Sequence, residues 1–395
     1  MTPQSLTPWS TRLDALLDEA GIDVLLVTSK HNIRYLLDGH QHHFFAAGDA
    51  IGVSRYLPVL VYPRGRPADA LYVANRNERD ALAVRTGAGR PLWVPAVTPG
   101  ASTSAEAMGL AVAHLVRLGL AGARIGVEMA FLPADAFLVL QDGCADARIL
   151  DAHRPLERLR AVKTPAELAL LRDASDRVVD AMLAVISGHG PGTTKHQLTA
   201  ALRREEARRG LEFEYALVTI GRSHVRAPAE ERWAPGDVLS IDSGGNLDGY
   251  IGDLCRMGVL GEPDGELQDL LGEVDRIQMA ARAPIRAGVP GRAIYEAAHQ
   301  ALAQPGPAGA PKPAFVAHGM GLIGHEAPRL TATGPIPYPN CDAGLPLAAG
   351  MVVSIETTLP HPTRGFIKLE DTVAVTKTGW EGFGDRGRGW NRGAA

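Results

Sequence analysis

Two seven-residue phrases in the chain each drive an acid into apolar surroundings. They are GDVLSID, Gly236 to Asp242, and GMVVSIE, Gly350 to Glu356. Both run Gly, any residue, Val, apolar, Ser, Ile, acid. Side chains alternate along a strand, so Val238, Ser240 and Asp242 share one face, and so do Val352, Ser354 and Glu356. A second acid follows each phrase. Asp253 comes eleven residues after Asp242, beyond SGGNLDG, and Glu370 comes fourteen after Glu356, beyond PHPTRG. Two hairpins, each holding a pair of carboxylates, are expected. Taken singly, an acid at a strand end is as a rule a hydrogen-bonded turn former. Four carboxylates gathered in a sheet repel one another and lose hydration, and a cation resolves both costs. Between the hairpins lies HGMGLIGHEAP, with His318 and His325. An imidazole with four carboxylates is a ligand set for two divalent ions, with bridging carboxylates and a bridging water.

These residues need a frame to hold them. The first 160 or so residues alternate helical and strand-like segments: TRLDALLDEAG as a helix ending on glycine, DVLLVTS, LPVLVYP and DALYVA as strands, SAEAMGLAVAHLVRLG as a helix, then RIGVEMA and ARILDA as strands. This predicts an α/β domain over 1–160. A capping box opens the next part: Thr164 as N-cap, Pro165 at the first helical position, Glu167 three residues after the cap. From there, over 161–395, helices, strands, helices and strands follow in turn. The repeated phrase stands in both strand blocks, so a duplicated unit of strands with covering helices is the simplest reading. The long segment GELQDLLGEVDRIQMAARAPIRAG reads as one helix, and the polar tail GDRGRGWNRGAA as loosely held.

Composition narrows the partners. With 395 residues, about two domains are expected at roughly 100–200 residues each. Hydrophobic content of 46% and charged content of 21% are those of a globular chain. A formal net charge of −4 and a pI near 6.4 point to neither nucleic acid nor an anionic membrane. Cys144, Cys255 and Cys341 are odd in number, far apart and without metal-ligand spacing, so a reducing cytoplasm fits better than a disulfide framework. The first residues lack a cationic start followed by an apolar run, so no signal peptide is expected.

At these motifs the sequence resembles the M24 metallopeptidases, the pita-bread family of prolidase, aminopeptidase P, methionine aminopeptidase and creatinase. NIRYLLDG (Asn32 to Gly39) resembles their creatinase-like N-terminal domain, and LRAVKTPAELALLRDA the linker into their catalytic domain. IDSGGNLDGYIGDLCR, HGMGLIGHEAP, VVSIETT and FIKLEDTVAVT resemble, in order and spacing, the four catalytic motifs. The resemblance implies an α+β fold with a pseudo-twofold pita-bread catalytic domain. It implies five metal ligands: Asp242, Asp253, His318, Glu356 and Glu370, with Asp253 and Glu370 bridging two divalent ions. Manganese is the first choice, with zinc, cobalt or iron as alternatives. Glu356 would also serve as proton shuttle and His325 as the non-ligand histidine that stabilises the oxyanion or holds the substrate. A homodimer is implied too.

The flanks depart from the family pattern. In GRSHVRAP, Gly221 matches, but Ser223 stands for an asparagine and Pro228 for a histidine, with His224 four residues earlier as a substitute. Thr357 and Thr358 follow Glu356 where Pro-Gly is usual. Lys368 replaces an arginine, and Cys255 a threonine. Arg222, His224 and Arg226 make a basic loop that suits an anionic substrate, and Lys368 is expected to anchor a substrate carboxylate. His40, His42 and His43 form a further cluster, expected either at a neighbouring subunit's site or in simple packing. Three activities follow: an Xaa-Pro dipeptidase or aminopeptidase, a non-peptidase C–N hydrolase of creatinase or ectoine-hydrolase type (or a sulfonium lyase) on the same fold, or a catalytically silent binding module, which the five ligands disfavour.

Overall fold

A computed structural model of the chain describes residues 9–40, 52, 57–332 and 340–394. It divides into two compact units, Met1–Leu159 and Arg160–Ala395. The first unit is built on six strands: β1 (Val24–Val27), β2 (Val59–Pro63), β3 (Leu71–Asn75), β4 (Ala96–Ala101), β5 (Arg124–Val127) and β6 (Arg148–Asp151). They form one mixed sheet in the order β4-β3-β2-β1-β5-β6. Alternation puts Leu25 and Val27 into one apolar layer and Val24 and Leu26 into the other, so the sheet is buried on both faces. Glu128, fully buried after β5, accepts from the backbone of Thr28 and Ser29 and from the Asn32 amide at 2.5–2.9 Å. That is why NIRYLLDG starts where it does, on the helix Lys30–Leu36 capped by Ser29.

The second unit repeats one plan. The helices Pro165–Gly188 and Lys195–Arg208 precede β7 (Glu212–Ile220), β8 (Val238–Leu247) and β9 (Tyr250–Val259). The helices Gly265–Arg282 and Arg292–Leu302 precede β10 (Ala314–Gly319), β11 (Val352–His361) and β12 (Gly365–Val375). The six strands lie in the order β10-β11-β12-β9-β8-β7, which is palindromic, each trio mirroring the other about the β12–β9 seam. Thr164 caps the first helix, with the Glu167 side chain returning to its backbone as the sequence predicts. Among the described residues, no helix is long and apolar enough to cross a membrane.

Three local expectations change. SGGNLDG is not a loop: Gly244 and Gly245 stay in β8, and the chain reverses only at Asp248–Gly249, both at positive φ, as a two-residue hairpin favours. The helix from Gly265 stops at Arg282, because Pro284 has no N–H to continue it. The tail is held fast. β13 (Trp380–Phe383) pairs with β12, and β14 (Asn391–Arg392) with β9. Arg388 ion-pairs with the buried Asp371 and is also held by Asp275 and Gln278. Trp390 Nε1 donates to the Leu267 carbonyl at 3.0 Å.

Candidate metal centre

Register alone places the acids. Asp242 faces Cys255, Cys255 faces Glu370, and Glu370 faces Glu356, across β8, β9, β12 and β11. Residues directly opposite in a sheet point to the same side, so this row puts three carboxylates on one face. Asp253 joins them two residues along β9 from Cys255, and His318 enters from β10, opposite Ser354. β9 and β12 pair in register at Glu370 and Cys255 alone. The row therefore crosses the seam between the two mirrored trios.

The side chains gather around two foci that share Glu370. At the first, ligand atoms of Asp253, His318 and Glu370 all lie within 4.8 Å of one another, and all three residues are buried. At the second, the ammonium of Lys368 lies 2.6 Å from Asp242 Oδ2, 2.5 Å from Glu356 Oε2 and 2.7 Å from Glu370 Oε2. Lys368, expected to anchor a substrate carboxylate, is thus engaged by three carboxylates of its own chain, with its side chain only 4% exposed. Its position on β12, two residues before Glu370, gives it the same face.

Charge explains the titration behaviour. Burial pushes the carboxyls of Asp242, Asp253 and Glu356 up from their ordinary values, with neighbouring carboxylates adding to it. Burial acts on Glu370 in the same direction, but the Lys368 ammonium and the His318 imidazole outweigh it and hold Glu370 well below the carboxylate range. Burial alone would depress His318, yet its bond to Glu370 and the surrounding carboxylates raise it. His325 stacks on His318 with ring centroids 3.7 Å apart and is held down to about 3, by burial first and then by His318. Beneath His325, Glu326 is fully buried between Arg160 and Lys163, each 3.0 Å away.

The basic loop divides. Arg226 turns in and ion-pairs with Asp242 Oδ2, while its guanidinium carbon lies 5.5 Å from the centre of the Phe366 ring. His224 stays exposed and sits 3.3 Å from the His361 carbonyl, away from the acids. Pro228 is exposed on the same loop. The loop is fixed from below by Lys195, whose buried ammonium meets the Val225 carbonyl and, at 2.9 Å, Glu231. His40 is committed within the first unit, 2.7 Å from Glu78, and His42 and His43 lie outside the described residues.

Three participants escaped the sequence reading. Tyr215 on β7 donates its hydroxyl to Asp253 Oδ1. It fits because Gly244 stands opposite: a Cβ there would lie 2.4 Å from the Tyr215 ring. An aromatic facing a Gly pair was the available signal. Ser354 Oγ donates to Glu370 Oε1 at 2.8 Å. Behind the row, Glu206 is fully buried, with Oε1 2.8 Å from Ser243 Oγ; the same Oγ is 2.8 Å from the Tyr215 carbonyl. A hydroxyl has one proton to give. Ser243 therefore divides its one proton between the Tyr215 carbonyl and Glu206, so its bond to the carboxylate opposes burial only in part. Burial accordingly raises the Glu206 carboxyl to about 7.

The donor set suits a divalent cation. Hard carboxylate oxygens with one imidazole serve Mn, Fe, Co or Zn alike, and three buried donors converge without any disulfide or thiolate. The comparisons agree with this chemistry. A model of metallopeptidase family M24 matches residues 169–377, and one of the creatinase/prolidase N-terminal domain matches residues 10–162. The chain is 29% identical over 370 residues to a probable dipeptidase PepE of Mycobacterium tuberculosis, covering 91% of this chain and 89% of that protein. In fold it is similar to an Xaa-Pro dipeptidase from Bacillus anthracis (TM-score 0.78, 21% identity, 97% and 99% of the two chains). It is also similar to dipeptidase PepE from Mycobacterium ulcerans (TM-score 0.71, 24% identity, 97% and 98%).

Proposed function

The chain belongs to metallopeptidase family M24, a family of metal-dependent hydrolases, and from that premise we propose that it hydrolyses an amide bond in a short peptide of the Xaa-Pro type. The observation that carries the reading is the convergence of Asp253, His318 and Glu370 within 4.8 Å, on a buried row of acids. Asp253, His318 and Glu370 would hold a divalent ion, which would supply Lewis acidity for the carbonyl and for a water nucleophile.

The chain's own residues divide the remaining work. Glu356 is the most open of the four carboxylates, its side chain 12% exposed against 3–4% for Asp242 and Glu370. It takes the proton of the attacking water and delivers it to the leaving amine. Its raised affinity for protons suits that exchange. His325 is a neutral imidazole, so it gives a hydrogen bond to the developing oxyanion without adding like charge beside His318. Arg226, its side chain 35% exposed beside Asp242, has a guanidinium fork with donors left over to receive a substrate carboxylate while keeping Asp242. We place the protein in a reducing cytoplasm as a homodimer.

One observation favours a second reading. The loop that should present a histidine presents Pro228 at the surface, and Arg226 alone points inward. That arrangement suits a non-peptidase C–N hydrolase acting on a small anion. The test is a panel of Xaa-Pro dipeptides against N-acyl and guanidino acids of similar size, on protein loaded with Mn, Co or Zn. Turnover of Xaa-Pro dipeptides that disappears with chelator and in His318→Ala supports the first reading. Turnover of the small acids alone supports the second, and no metal-dependent turnover of either removes both.

A further inference from the structure

We propose that the Lys368 ammonium is a built-in substitute for a second ion, so that the centre takes one divalent ion, at Asp253, His318 and Glu370. The inference rests on the reading of this centre as a metal site and fixes its stoichiometry.

The geometry is that of a cation site already filled. Three carboxylate oxygens, one each from Asp242, Glu356 and Glu370, surround Nζ at 2.5–2.7 Å. An ammonium has three N–H donors and no acceptor, so three carboxylates use it completely. It is also a compact point charge, unlike the planar fork of arginine, and can sit where an ion would. The acids come from β8, β11 and β12, the same strands that supply the row. Lys368 and Asp242 each have side chains 4% exposed, so the ammonium is not borrowed from solvent. Asp242 carries a second cation as well, through Arg226 on the same Oδ2.

Charge gives the count. Asp242, Asp253, Glu356 and Glu370 bring four negative charges, and Lys368 and Arg226 bring two positive ones. One divalent ion brings the group to neutrality. A second would leave it at an excess of two positive charges in a buried site, and would have to displace the ammonium from all three oxygens. Like charges in low dielectric repel strongly, and the displaced ammonium has no other buried acceptor among its contacts. Asp253 and His318, by contrast, make no contact with either cation, and their donor atoms stay directed at the first focus.

The test counts ions. Wild-type protein is equilibrated with excess Mn2+, desalted, and assayed for metal per chain by mass spectrometry and by electron paramagnetic resonance. The expected result is about one ion per chain with the spectrum of an isolated Mn2+. Lys368→Met removes the charge while keeping the stem, and is expected to raise the count to about two, with an exchange-coupled spectrum. His318→Ala is expected to bind none. Two coupled ions in the wild type overturn the inference and leave the metal-site reading standing. No ion in the wild type overturns both. One ion in both the wild type and a folded Lys368→Met overturns the role of the ammonium. Should Lys368→Met not fold, the wild-type count and spectrum still decide.

Discussion

Glu206→Gln is a small change with a pH-dependent consequence. The carboxyl lies fully buried behind the acid row, sharing the Ser243 hydroxyl with the Tyr215 carbonyl. Its proton affinity is raised from 4.5 to about 7 by burial, with the Glu214 carboxylate adding and the Ser243 bond opposing. A group whose folded value is raised stabilises the fold fully below its unfolded value, and the contribution is lost as pH rises through the folded one. At about 1.4 kcal/mol per unit, the change between pH 5 and pH 8 comes to about 2.5 kcal/mol. Glutamine cannot titrate, and its amide oxygen can accept from Ser243 as the carboxyl does. Urea unfolding of both proteins at a series of pH values measures the difference. Glu206→Gln should gain on the wild type by about 2.5 kcal/mol from pH 5 to pH 8. A difference that stays flat with pH means that burial does not raise the Glu206 carboxyl above its unfolded value.

Further outcomes follow from other contacts. Tyr215→Phe removes the donor that orients Asp253, and should weaken Mn2+ binding by about 10–100-fold in a chelator competition; unchanged affinity would show the hydroxyl to be incidental. Glu326→Gln leaves Lys163 and Arg160 buried without their anion and should cost about 3–5 kcal/mol in urea unfolding, with a loss under about 1 kcal/mol counting against the buried pairs. Arg388→Met frees the tail from Asp371 and Asp275; it should expose the chain after Gly384 to trypsin and cost about 1.5–3 kcal/mol, whereas an unchanged digest would place the anchoring elsewhere.

Much of the frame can be read in one dimension because its causes are local. The Thr164 cap, the alternation in β8 and β11 and the mirrored phrases are all properties of neighbouring residues. The acids could be assembled because strand alternation and a fixed register convert sequence spacing into a common face. The remainder is lateral. Tyr215 meets Asp253 across two strands, Lys368 meets Asp242 across 126 positions, and Arg388 reaches Asp371 from the tail. No local pattern encodes those partners, so Lys368 reads from sequence as a hand for the substrate and the tail as loose. The hairpin turn lies further on for a related reason: Gly244 makes room for the Tyr215 ring and Gly245 for Val178 and Leu211.

The seam between the mirrored trios sets when the centre can come into being. β9 and β12 pair in register only at Glu370 and Cys255, flanked by Arg256 on Asp371 and Thr372 on the Asp253 carbonyl, and beyond it each turns to a partner from the tail. His318, Glu370 and Asp253 thus belong to segments that no half-domain brings together. During synthesis the chain must emerge past residue 370 before an ion can be captured, and the ion cannot serve as an early template. Once bound, it stabilises the join between the halves rather than either half, because its binding energy is lost when they part. Removing it should loosen that join first, while both trios keep their own hydrogen bonds.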